Sequence, residues 1–340
     1  MEVMNKQSTE WFDTYGKDGF KRNMYHLRDY IYLLRYLRKL NSPTVDELVT
    51  ALIRNFGGLS PEVMRHTVGL AFDQVITAFG RDGATYTPRR FIEAFKSSIQ
   101  DSTIKDLNLA PYRDIMIIDP VEQPQLMQLL QEWLKLEKYT HTDDSKWAIS
   151  DLIHMGNFPE DAERENVATY VSKVKQALIN PPNPTPDNRP VVFIYNGTRV
   201  YPSLYDLHNR HFHKLDAGEG VDNDGVRYKR YTYMASISNF VTKKVLIHRD
   251  FRVVVSTKAS EIHKVGAPLL NRFEKFYLTI QMLWEYLIEI PNDGLTNSLA
   301  WYDDKMKESI GDVSLRFNST SSPGFSDATP YSLLVQIYQQ

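Results

Sequence analysis

Three short apolar runs constrain this chain more than any other feature: Ile115 to Ile118, Val191 to Tyr195 and Val253 to Val255. Each has strand length, and none alternates with polar residues. A strand that is apolar on both sides is buried on both sides, which indicates a parallel sheet covered by helices. The intervening segments fit. Gln123 to Glu137 carries Leu126, Leu129, Leu130, Trp133 and Leu134 at helical spacing, and Asn166 to Leu178 also reads as helix. Trp147 to Met155 is a further strand candidate, interrupted by Asp151 and His154. A helix is expected around Ser203 to Phe212 and another from near Pro268. Lys243 to Ile247 and Phe251 to Ser256 are expected to form a hairpin or strand pair. Asn180 to Pro186 (NPPNPTP) is a surface loop, as is Asn318 to Thr329. Strands alternating with helices place the chain in the α/β class.

The first third is helical. Leu27, Tyr30, Ile31, Leu34 and Leu37 recur at helical spacing until Asn41-Ser42-Pro43. Thr44 is the expected N-cap of a second helix bearing Val45, Leu48, Val49, Leu52 and Ile53, and Gly57-Gly58 ends it. Ser60-Pro61-Glu62 opens another, and one more follows Thr87-Pro88 with Phe91, Ile92 and Phe95.

Composition excludes several classes. The 340 residues carry 40 basic and 42 acidic side chains, a net charge of -2, so no basic field calls for nucleic acid. There are no cysteines, which removes disulfides, thiolate chemistry and Cys-based metal sites. No apolar run approaches the roughly 18 residues of a membrane span, and no signal peptide is visible, so a cytoplasmic location is expected.

The segment from Lys243 reads KKVLIHRDFRVVVSTKASEIHKVGAPLLNRFEKFYL. It resembles the fourth-strand and arginine-finger region of AAA+ modules in the dynein, midasin and mysterin group. The combination of His248-x-x-Phe251-Arg252 with Pro268-Leu-Leu-Asn-Arg-Phe-Glu-Lys275 is most similar to the mysterin-like giant RING-type E3 ubiquitin ligases. Ser203 to Asn209 (SLYDLHN) resembles that family too, as do Leu27-Arg28-Asp29-Tyr30 and Leu52-Ile-Arg-Asn-Phe-Gly-Gly58. The resemblance implies three parts. Residues 1–106 would be the helical lid of a preceding AAA+ unit. Residues 107–290 would be a degenerate AAA+ core of three α/β layers, and residues 291–340 a truncated tail. The chain would then be an internal piece of a longer protein.

An active site of this kind needs G-x-x-x-x-G-K-[ST] after its first strand, whose backbone N–H groups and lysine hold the phosphates. Here the first strand runs into Asp119-Pro-Val-Glu-Gln-Pro124, without glycine or lysine. A Walker B strand ends in acidic residues that hold Mg²⁺, whereas Arg189 to Tyr195 is followed by Asn196-Gly197-Thr198. The module is expected to bind no cofactor. ATP and Mg would belong to the upstream module of the parent, and zinc to its RING region.

The resemblance implies roles for individual residues. Arg272, beside Asn271, would be an arginine finger reaching a neighbouring module's nucleotide; the plainer reading is a surface pair with Glu274. Arg28 and Arg54 would be lid sensors for the upstream ATP site; the plainer readings are an Arg28–Asp29 surface pair and a cation at a helix C-terminus. Ser256 and Thr257 stand at a polar sensor position, or are ordinary strand-end hydroxyls. His208, His211 and His213 invite a zinc reading, but helical spacing separates His213, and a solvated helix without metal is expected. Tyr228 to Tyr233 interleaves aromatics with cations, as a stacking surface for single strands would; period-two alternation reads instead as a half-buried strand.

The expected function is structural: a catalytically dead module completing a ring of AAA+ units. Its partners would be neighbouring AAA+ modules and, through the parent, the ubiquitin machinery, with no nucleic acid and no membrane span. The alternatives are part of a dynein- or midasin-type motor ATPase, or a stand-alone interaction module.

Overall fold

A computed structural model describes residues 25–40, 42–80, 86–101, 112–122, 124–140, 147–154, 164–179, 189–210, 212–214, 233–239, 241–247 and 251–289. The helices α1 (Leu27–Lys39), α2 (Val45–Phe56), α3 (Pro61–Met64), α4 (Asp73–Ala78) and α5 (Pro88–Gln100) come first. A π-helical stretch, Arg65–Gly69, joins α3 to α4. The helix starts follow from capping chemistry. Thr44 and Glu47 form a reciprocal capping box at α2, and the Ser60 and Thr87 hydroxyls accept N–H groups where Pro61 and Pro88 open α3 and α5.

Gly57 caps α2 and is required there by space. A Cβ at this position would lie 2.2 Å from the Ile53 carbonyl oxygen and 2.3 Å from that of Lys275. The backbones of α2 and the last strand therefore approach as closely as only glycine permits. The left-handed turn itself falls on Gly58, at φ 89°.

Helix α1 departs from the amphipathic reading. Its inward face carries Asp29, Leu33 and Tyr36, all buried, while Leu27, Tyr30, Ile31 and Leu34 are 40–62% exposed. At about 3.6 residues per turn, the apolar stripe points roughly half a turn away from the core.

The second part is an α/β sheet. Strands β1 (Asp114–Asp119), β2 (Trp147–Ile149), β3 (Ile153–His154), β4 (Arg189–Tyr195), β5 (Phe212–Lys214), β6 (Tyr233–Asn239), β7 (Val241–Ile247), β8 (Arg252–Lys258) and β9 (Phe273–Tyr277) follow. Between them lie α6 (Gln125–Thr140), α7 (Arg164–Ile179), α8 (Tyr205–Asn209), α9 (Ala267–Leu270) and, last, α10 (Ile280–Glu289). The main sheet is parallel throughout, in the order β2-β4-β8-β1-β9, with β3 also pairing β4. Every residue of β1 is buried, as are Arg252 to Thr257 of β8, so helices cover both faces. This is a three-layer α/β core of AAA type, as expected.

Four expectations are corrected. The strand from Trp147 is two short pieces, because the Ser150 hydroxyl accepts the Phe193 N–H and so displaces a ladder bond. Val241–Ile247 does not pair with Arg252–Lys258; it pairs antiparallel with β6 in a separate sheet of order β5-β6-β7. Phe273–Tyr277, not expected as a strand, is the edge strand β9, and α9 is a single turn before it. The helix expected over Ser203 to Phe212 is a 3₁₀ segment, Gly197–Leu204, running into α8.

Among the described residues no helix is long and apolar enough to cross a membrane. The Tyr228 to Thr232 part of the aromatic run, the loops at Asn180 to Pro186 and Asn318 to Thr329, and the tail from residue 291 lie outside the described residues.

Candidate functional site

In a parallel α/β sheet, ligands bind outside the carboxyl ends of the strands, where the strand order reverses. Here that crevice lies at the ends of β1, β4 and β8. Its lining follows from the residues that leave each strand. Asp119 is buried at the end of β1, and its Oδ1 accepts the Val121 N–H at 2.9 Å. Glu122 then adopts a left-handed backbone, φ 63°. Its carbonyl accepts the Tyr195 hydroxyl at 3.2 Å, and its Oε1 accepts the Ser260 N–H at 3.0 Å. The turn after β1 is thus stapled to the ends of β4 and β8 by its own groups. Burial, with the charges of Asp119, Glu122 and Glu261, pushes the Tyr195 hydroxyl above its usual pKa. Burial and Asp119 do the same to Tyr277 at the end of β9. The crevice thus gathers the carboxylates of Asp119, Glu122 and Glu261, with Lys258 in register beside Asp119 at the end of β8.

At the end of β4, Asn196 is also left-handed, φ 61°, and its N–H donates to the Ser256 hydroxyl at 3.1 Å. Gly197 packs where a Cβ would lie 3.1 Å from both Ile194 and Val255. Ser256 and Thr257 are buried in β8, so the structure uses the Ser256 hydroxyl to close a strand end.

The Arg272 loop lies at the opposite, amino-terminal end of β9. The Arg272 guanidinium stacks on Tyr205, 5.4 Å from the ring centroid, and its Nη2 donates to the Tyr205 hydroxyl at 3.3 Å. It makes no pair with Glu274, which is wholly buried and faces inward. The Nε of Arg272 and the Oδ1 of Asn271 are buried without a hydrogen-bond partner. Arg28 is half-buried on the first turn of α1. Arg54 is placed differently. It is fully buried, with Nε and Nη2 donating to Glu274 at 2.8 and 3.0 Å and Nη1 at 2.7 Å from Asp101. It also stacks on Tyr36. Arg272 and Arg28 keep surface access; Arg54 spends its guanidinium inside.

His208 is not on a solvated face. It is buried, with Nδ1 2.7 Å from Asp114, and its ring lies on Phe273. His211 lies outside the described residues, and only the backbone of His213, in β5, is described. Among the described residues no group of three His, Asp or Glu side chains is placed to hold a metal.

Sequence reasoning missed a buried polar assembly among the described residues. Asp29 faces Arg113 at 2.6 Å and Lys275 at 3.1 Å, both fully buried. Arg252, at the start of β8, stacks 3.5 Å from the Tyr112 centroid and donates to the Ser98 and Asp101 carbonyls at the end of α5. The only local signal was the placement of Asp29 opposite the apolar stripe of its helix.

A sequence profile described as the RNF213 AAA domain matches residues 105–284. The chain is 24% identical, over 94% of its own length, to a putative uncharacterized transmembrane protein of Dictyostelium discoideum. It is also 24% identical to the mouse E3 ubiquitin-protein ligase RNF213 over 67% of its length, and to the human protein over 49%. It spans 5% of the first of these relatives and 4% and 3% of the others. The profile takes in more than half of the chain and the whole parallel sheet, and the chain belongs to the RNF213 AAA domain family.

Proposed function

We propose that this chain is a nucleotide-free AAA module in the ring of a mysterin-like, cytoplasmic E3 ubiquitin ligase. Its work there is structural: the helices of residues 25–101 serve as the lid of the preceding unit, and Arg272 and Arg28 face ATP held by that neighbour. Ubiquitin transfer, and the zinc it needs in a RING region, would belong to other parts of such a protein.

One observation carries the reading: the stapled, acidic turn at Asp119 to Glu122. A triphosphate does not fit it. A phosphate cradle needs converging N–H groups and a cation. Here the N–H groups of Val121 and Ser260 are already taken by Asp119 and Glu122, and both donors sit beside carboxylates. At the Walker B position Asn196 has no charge with which to hold Mg²⁺.

Two measurements test this. Isothermal titration of the chain with Mg·ATP is expected to give no heat of binding up to roughly millimolar nucleotide, since a Kd of about 1 mM already corresponds to only about 4 kcal/mol. Binding below about 100 µM would overturn the nucleotide-free reading. Arg272→Ala in the full-length ring protein is expected to lower its ATPase rate by about tenfold or more; an unchanged rate removes the finger role.

A further inference from the structure

The turn that carries Arg272 is gripped by two buried cations. Arg113 Nη1 donates to the Asn271 carbonyl at 3.4 Å, and Lys275 Nζ donates to the Leu270 carbonyl at 3.4 Å. Both share one carboxylate. Asp29 Oδ1 accepts from Arg113 Nη1 at 2.6 Å and from Lys275 Nζ at 3.1 Å. Its Oδ2 accepts the His26 N–H at 2.8 Å, which ties the same carboxylate to the start of α1. All three side chains are at most 2% exposed.

Two features distinguish this cluster from an ordinary buried ion pair. One carboxylate serves two cations, so the charge balance within the trio is uneven, and donors are left over. Those donors go to the two carbonyls immediately before Arg272. Arg113 is itself held in place on its other side, with Nη2 donating to the Asn55 amide oxygen at 3.2 Å and its backbone N–H to Glu274 at 3.2 Å. Burial works against the charges, yet Lys275 and Arg113 hold the Asp29 carboxyl below the usual carboxylate range.

We propose that Asp29 is the positioning residue of the Arg272 loop: through Arg113 and Lys275 it locks the Leu270 and Asn271 carbonyls to α1, the helix that carries Arg28. The proposal deepens the reading of Arg272 and Arg28 as neighbour-facing groups and rests on it for its purpose. The linkage fixes the spacing of the two arginines, so that a neighbouring unit meets them as one rigid element. Without it the backbone of the turn at Leu270 to Arg272 keeps its own short bonds, Leu270 N–H to Gly266 and Arg272 N–H to Leu269, and the Arg272 side chain keeps its contact with Tyr205, but neither ties the turn to α1.

The test is hydrogen exchange on the chain itself, without nucleotide. Lys275→Met leaves a balanced Asp29–Arg113 pair and is the first variant. It is expected to speed exchange of the Leu270 and Arg272 amides about tenfold, the equivalent of one charge-assisted hydrogen bond. The β1–β8 ladder amides are expected to stay within about threefold. The double variant Asp29→Asn/Lys275→Met separates positioning from plain stability. Its melting temperature is expected to recover relative to Asp29→Asn, because fewer buried charges are left unpaired. The loop amides stay fast, because the link to α1 is gone. Loop protection that returns together with the melting temperature would overturn the proposal, as would wild-type exchange at Leu270 and Arg272 in Lys275→Met. An unaltered ATPase rate in Arg272→Ala would sink the finger while leaving this linkage untouched, because exchange is read without ATP.

Discussion

Arg54 offers the sharpest test of how the helices hold the sheet. Its guanidinium is fully buried between Glu274 of β9 and Asp101, the residue that ends α5, and it stacks 4.5 Å from the Tyr36 centroid. Burial opposes its charge, but the two carboxylates outweigh burial and keep it protonated. Arg54→Met keeps an unbranched apolar stem of similar reach, so the packing loss is small. The electrostatic loss is not. Asp101 still has Lys39 at 2.8 Å, but Glu274 is left buried with only the Arg113 backbone N–H. Removing one member of a buried pair costs about 3–5 kcal/mol, which corresponds to a melting temperature lower by about 6–20 °C for a domain this large. Adding Glu274→Leu is expected to restore about half, since the orphaned Arg113 N–H keeps a cost of about 1–3 kcal/mol. Urea titrations of the two single variants and the double variant close the cycle. A loss below about 1 kcal/mol for Arg54→Met, or additive singles, would refute the argument that this pair clamps α2 to β9.

Acid stability follows from two other carboxylates. Burial would raise the pKa of Asp29 and Asp101, but Lys275 with Arg113, and Arg54 with Lys39, outweigh it and lower both. Their stabilisation is therefore complete above the ordinary carboxylate pKa of about 3.9 and lost as pH falls below it. Circular dichroism during acid titration is expected to hold steady down to about pH 4 and then fall, and Lys275→Met to move the midpoint upward; a midpoint unmoved by that variant would disconnect Asp29 from the transition. The reversed face of α1 gives a paired prediction. Leu34→Lys, at a position 48% exposed, is expected to change stability by no more than about 0.5 kcal/mol. Leu33→Ala, at 2% exposure, is expected to cost about 2–5 kcal/mol. Equal effects in thermal melts would mean that the helix is rotated from the orientation described.

The parallel core was legible because its strands are apolar through and through. Ile115 to Ile118, Val192 to Ile194 and Val253 to Val255 have no polar side to present, and each is buried as read. β9 was not legible for the same physical reason inverted. Phe273-Glu-Lys-Phe-Tyr277 carries two charges, and their inward direction depends on Arg54 and Asp29, which lie 220 and 246 residues away. Pairing of β7 with β6 rather than β8 was likewise a choice among distant partners that a local pattern does not weigh. For α1 the pattern pointed the wrong way: helical spacing identified the helix, while the side that faces the core was set by one carboxylate and two remote cations. Of the candidate residues, Arg272 and Arg28 were singled out by motif resemblance alone. The interior role of Arg54 had no sequence signal short of its partner Glu274.

The sequence separations within the charge network also set a clock. Asp29 meets Arg113 across 84 residues but Lys275 across 246, and Arg54 waits 220 residues for Glu274. Synthesis proceeds at about 5–20 residues per second, so the first helices exist for roughly 12–50 s before the strand that completes their interior has been made. During that interval Asp29 and Arg54 must stay hydrated, because burying either alone is costly. The bundle is therefore expected to dock late, after β1 and β8 have paired, with its charges dehydrated in the final step. A ribosome pause anywhere between Asp101 and Phe273 would prolong the stage in which α1 is apolar outside and still wet within.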